Sequence, residues 1–123
     1  MLIFNSEGIH AAHPINYSPQ WSNISTMVSG LGFSGTNGTA FGSVDAKSGV
    51  TKIEGTLTVY RWSGNSWVYV DSDSDSTITD DYLVLYVEFT GVIGVEYKSV
   101  FHVAVTRNRI IETEDKYNYE VCV

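Results

Sequence analysis

The sequence predicts an all-β chain folded as an antiparallel two-sheet sandwich of about seven strands. Three observations carry that prediction. Apolar and polar residues alternate with a period of two along most of the chain, and Thr, Val, Ile and Tyr dominate between the breaks. No segment shows the 3.6-residue period of an amphipathic helix. The breaks recur at short intervals and carry Gly, Asn, Asp or Ser. Many short strands without helices between them pack as antiparallel sheets. At 123 residues the chain has the length of one domain, enough for a core without covalent staples.

Taken in order, residues 1–20 read as a polar N-terminal arm ending in Pro14 and Pro19, and residues 21–123 as the sandwich domain. Strands are expected at about 22–33, 38–46, 50–62, 66–72, 77–90, 95–107 and 109–121, because each is a β-rich run between turn residues. The breaks between them are "SGTNG", "KSG", "SGN", "DSDSD", "TGVIG" and "RNR". Parity within the strands assigns the inward faces. Ile53, Leu57 and Val59 share one face of the third strand, opposite Lys52, Glu54, Thr56, Thr58 and Tyr60. Leu83, Leu85, Val87 and Phe89 form an apolar row, opposite Tyr82, Val84, Tyr86 and Glu88. Tyr97, Phe101, Val103 and Val105 share a face with Ser99. Each large apolar side chain turned inward contributes about 1.5–3 kcal/mol before conformational entropy is set against it.

Composition narrows the function. Hydrophobic residues make up 43% of the chain, too many for a disordered segment. The net charge of -7, with seven basic residues and no two of them adjacent, argues against nucleic acid and against an anionic membrane surface. No apolar run reaches the length of a membrane-spanning helix, so no membrane insertion is expected. The N-terminus lacks the basic and apolar regions of a signal peptide. The single cysteine, Cys122, has no partner for an internal disulfide and reads as a free thiol on a frayed end.

At "GVEYKSVFHVAV" (94–105) the pattern becomes a likeness. A Gly-x-x-Tyr step followed by alternating apolar residues resembles the penultimate strand of immunoglobulin-like and fibronectin type III-like domains. Tyr97 stands where those domains place the tyrosine whose hydroxyl ties the preceding loop to the strand. The wider order is similar to that of small secreted bacterial domains of unknown function. It runs through "WSNIS" at 21–25, "SGVTKIEGTLTVYR" at 48–61, "SGNSWVYV" at 63–70 and "ETEDKY" at 112–117. The resemblance covers about residues 20–119 and implies an Ig-like sandwich, secreted or held at the cell surface, with the signal peptide lying upstream of Met1. It brings no catalytic residues. The chain departs from the Ig pattern in lacking the paired core cysteines.

Five groups of residues bear on chemistry. "TVYRWSGNSWVYV" (58–70) reads as a hairpin around Gly64 and Asn65, which tolerate positive φ. Tyr60 and Trp62 fall on the polar face of their strand and are expected to be at least partly exposed. Trp67 opens the next strand, where a small register shift turns its ring inward, so it is expected to be the more buried tryptophan. Tyr60, Trp62 and Tyr69 are the candidate ligand-binding residues, because exposed rings stack on sugars and on partner surfaces. The competing reading is a cross-strand pair that merely stabilises the hairpin.

"DSDSDSTITDD" (71–81) sets Asp71, Asp73 and Asp75 at alternate positions, as a calcium loop does. The sixth position is Ser76 rather than Gly and the twelfth is Tyr82 rather than Glu, so a solvated acidic loop is preferred over a metal site. His10 and His13 have helical metal-ligand spacing but lie in the arm, far from other ligands. His102 reads as a surface residue. The Asn16, Asn23 and Asn37 sequons read as chance in a Ser- and Thr-rich chain.

No nucleophile elbow, phosphate loop or His-Glu-x-x-His motif is present. The expectation is a protein that is not an enzyme and needs no cofactor. It is read as an extracellular or cell-surface Ig-like module that binds or spaces an unknown protein or glycan. The alternative is a carbohydrate-binding module using the 58–70 hairpin, with the acidic tract as structural calcium.

Overall fold

The computed structural model describes residues 20–123. The arm expected over 1–20, with His10, His13 and the Asn16 sequon, therefore lies outside the described residues except for Gln20. Seven strands follow: β1 (Ile24–Ser34), β2 (Asn37–Ala46), β3 (Val50–Trp62), β4 (Trp67–Thr77), β5 (Tyr82–Thr90), β6 (Glu96–Arg107) and β7 (Ile110–Val121). No helix is present among the described residues. One sheet has the order β1-β2-β5 and the other β4-β3-β6-β7, all antiparallel. Two packed sheets of three and four strands make an all-β sandwich, consistent with an Ig-like fold.

The turns show why the strands reverse where they do. Gly35 (φ 60°) and Gly64 (φ 106°) take left-handed backbone in the β1–β2 and β3–β4 turns. Between β6 and β7, Asn108 (φ 54°) and Arg109 (φ 64°) both do so, the requirement of a type I′ hairpin turn.

The inward rows read from parity form the core. Ile53, Leu57 and Val59 meet Leu83, Leu85 and Val87, with Tyr97, Phe101, Val103 and Val105 alongside and Ile24, Met27, Ala40 and Val44 from the other sheet. Large rings fit because small residues lie under them. A Cβ on Gly42 would stand 2.4 Å from the Phe101 ring. The Tyr97 ring packs 5.3 Å from both Phe33 and Phe89, and its hydroxyl accepts a hydrogen bond from the Val92 amide at 2.8 Å. The corner expected at Gly94–Tyr97 is thus formed.

One open side of the sandwich, between β1 and β7, is closed by side chains. The Glu112 carboxylate on β7 accepts the amides of Ser22 (2.8 Å), Asn23 (2.8 Å) and Ile24 (2.9 Å). The Trp21 indole donates to Glu114. Asn23 is buried and its side-chain nitrogen donates to the Val105 and Ile110 carbonyls, so this sequon is spent on structure. Burial pushes the Glu112 carboxyl up, but the three amides and Lys47 outweigh it and hold the group below the usual carboxylate range.

Four expectations change. "DSDSD" is not a break, because β4 continues through it to Thr77. The strand expected from 77 begins only at Tyr82, after a turn held by the Thr77 hydroxyl, which accepts the amides of Thr79 and Asp80. Trp67 does not turn inward, because the β3–β4 register pairs it directly with Trp62 and residues paired across a ladder share a face. Cys122 is not frayed. It is fully buried, its amide donates to the Val95 carbonyl and its own carbonyl accepts the Gly94 amide.

Candidate functional site

The outer face of the four-stranded sheet is built by register. Tyr69, Tyr60, Lys98 and Tyr119 form one row across β4, β3, β6 and β7. Trp67 and Trp62 form the next row toward the hairpin turn, and Ser72, Thr58, Val100 and Tyr117 the row on the other side. The three candidate binding residues therefore lie together on one face. A single extra residue, Val70, bulges β4 between Tyr69 and Asp71, so that the aromatic rows and the acidic tract sit on opposite faces of the same strand.

The rings contact one another. Trp62 and Trp67 have centroids 5.1 Å apart at 59°, and Trp67 and Tyr119 stand 5.9 Å apart at 52°. The Lys98 ammonium lies 4.7 Å from the Trp67 centroid and 5.0 Å from that of Tyr60. Cation–π attraction of this kind contributes about 0.5–1 kcal/mol per contact near the surface. Burial among the rings pushes the Lys98 ammonium pKa down. Burial first, then the charges of Tyr117 and Glu96, pushes the Tyr119 hydroxyl up.

Trp62, Trp67 and Tyr60 are half-buried, whereas Tyr69 is 58% exposed and Tyr117 40% exposed. Parity predicts at least partial exposure of Tyr60 and Trp62, and neighbouring side chains cover the rest of each. Beyond the rings the face turns polar. Thr56 and Ser74 share a hydroxyl hydrogen bond of 3.1 Å, and His102 Nδ1 lies 2.6 Å from the Asp115 carboxylate.

On β4, Asp71, Asp73 and Asp75 are exposed and paired opposite Val59, Leu57 and Gly55. In a strand such alternate residues are about 6.8 Å apart, too far to converge on one cation. Among the described residues no group of three or more His, Cys, Asp or Glu is arranged to hold a metal, and no helix is long and apolar enough to cross a membrane.

The other sheet also has an apolar strip on its outer face. Val28, Tyr82, Val84 and Tyr86 are exposed there, with Phe41 lying 6.4 Å from Tyr86. Compared with known proteins, the chain matches no family model and no curated protein.

Sequence reasoning missed Trp67, Lys98, Tyr117 and Tyr119 as members of the aromatic face. Lys98, Tyr117 and Tyr119 needed the strand order, since β6 joins β3 across β4 and β5 in the chain, and Trp67 needed the register of the hairpin turn. Tyr117 and Tyr119 did carry a signal, their shared parity at the end of the last strand.

Proposed function

We propose that the chain is a non-catalytic Ig-like module, of the fibronectin type III-like kind, that binds a partner outside the cell or at its surface. The observation that carries this reading is the aromatic face of the four-stranded sheet. Tyr60, Trp62, Trp67, Tyr69, Tyr117 and Tyr119 stand on rigid paired strands, some half-buried and some open to solvent. Anchored rings of this type lose little conformational entropy on binding and dominate contact energies. The Tyr97 corner and the division into three and four strands support the Ig-like assignment. The location rests on the likeness to small secreted bacterial domains.

A carbohydrate ligand is the second reading, favoured by the row of Thr56, Thr58, Ser72 and Ser74 hydroxyls beside the rings. Sugars present both C–H faces for stacking and hydroxyls for hydrogen bonds. The test is a binding screen over immobilised polysaccharides and a glycan array, with Tyr69→Ala and Trp62→Ala as comparison chains. Binding lost in both variants while the urea midpoint stays near wild type supports the reading. Binding that survives both substitutions places the ligand elsewhere and overturns it.

A further inference from the structure

β4 is an edge strand, so alternate backbone amides along it point away from β3 with no neighbouring strand to receive them. Over the tract after the Val70 bulge these amides are met by the strand's own side chains. The Ser72 amide donates to Asp71 Oδ1 at 2.8 Å, the Ser74 amide to Asp73 Oδ1 at 3.0 Å and the Ser76 amide to Asp75 Oδ1 at 2.8 Å. A spacing of two residues is that of the outward set.

Register supplies an independent observation. Asp71, Asp73 and Asp75 pair with Val59, Leu57 and Gly55, the core-facing row of β3, so their side chains stand on the core side of the sheet. They are exposed at the edge of that sheet. A strand added beside β4 needs the three amides as donors and an apolar inner face to extend. The carboxylates occupy the first and charge the second. Nothing else guards this stretch: residues 71–77 contain no proline and no lysine, and the bulge lies before them.

We propose that the Asp71–Ser76 repeat closes a strand-addition edge, and that the occupant it excludes is β4 of a second copy of this chain. Antiparallel pairing of an edge with itself about a two-fold axis is self-complementary, so the same surface serves both partners. Such a seam would bring the three carboxylates of each copy together, and like charges directly opposite one another are destabilising. A foreign strand carrying lysines would be drawn to the same edge. The exclusion is therefore selective for self-association, and it stands independently of any ligand on the aromatic face.

Sedimentation velocity tests the proposal on the wild-type chain and on the triple variant Asp71→Ala, Asp73→Ala, Asp75→Ala. The triple variant is expected to form dimers or larger species at concentrations where the wild type does not. Adding Ser74→Pro, which deletes one freed amide at a position where an edge strand tolerates proline, should reverse the change. A folded triple variant that sediments as the wild type does overturns the proposal. So does association that persists with Ser74→Pro, since the contact then lies on another surface. Should the triple variant fail to fold, amide hydrogen exchange on the wild type decides. Slow exchange at Ser72, Ser74 and Ser76 supports the closure, and exchange as fast as in an unstructured chain refutes it.

Discussion

Tyr97 shows how one hydroxyl can fix a loop. Its ring is buried between Phe33 and Phe89, and its oxygen holds the Val92 amide five residues upstream. Tyr97→Phe keeps the ring and removes the acceptor, so it should cost about 1–2 kcal/mol in urea unfolding. A change too small to resolve would mean that the loop stands without this bond. The corner was legible because both partners fall within one short stretch, "GVIGVEY". Trp67 was not. Its orientation depends on the register through Ser63–Ser66, where the Ser63 amide donates to the Ser66 carbonyl and places residues 62 and 67 opposite each other. Cys122 was misread for a related reason: the backbone groups that pin it belong to Gly94 and Val95, far away in the chain.

β4 carries the largest disagreement between local preference and structure. Asp is depleted in strands and Ser favours turns, which is why 71–75 reads as a loop. Pairing with β3 overrides that preference, because each residue from Asp71 to Thr77 faces a β3 partner that is already fixed in the sheet by β6. The extended backbone also bears on calcium. An EF-type loop curls its ligands around one ion, whereas β4 spreads them along an edge. Thermal unfolding in millimolar calcium and in chelator should therefore give nearly the same midpoint. A rise of many degrees with calcium would show that the tract leaves the strand to bind, since a ligand of the folded state stabilises it by mass action.

Across the whole molecule, the sandwich class and its inward rows were legible because a period of two survives in any register. The partners of each strand were not, since β2–β5 and β3–β6 join segments that are not consecutive. Glu112 illustrates the gap: "ETEDKY" reads only as part of the last strand, while the Glu112 carboxylate binds the start of β1 in the opposite sheet. Its pKa is lowered in the fold, so the stabilisation it gives is fully present above its unfolded value, near pH 4.3, and is lost as pH falls through the lower folded value. Glu112→Gln should be less stable than wild type at neutral pH, with the gap closing below about pH 4. A gap that stays constant through acid would remove the carboxylate from this role.

The Glu112 bridge lies at the pole where β1 begins, and β7 ends at the opposite pole beside Glu96. A pull between Ile24 and Val121 would run along the strands, across ladder bonds that lie perpendicular to it. Those bonds would be loaded together in shear rather than peeled one after another. A ligand on the outer face of β3 and β6 would sit beside that line of force, not across it.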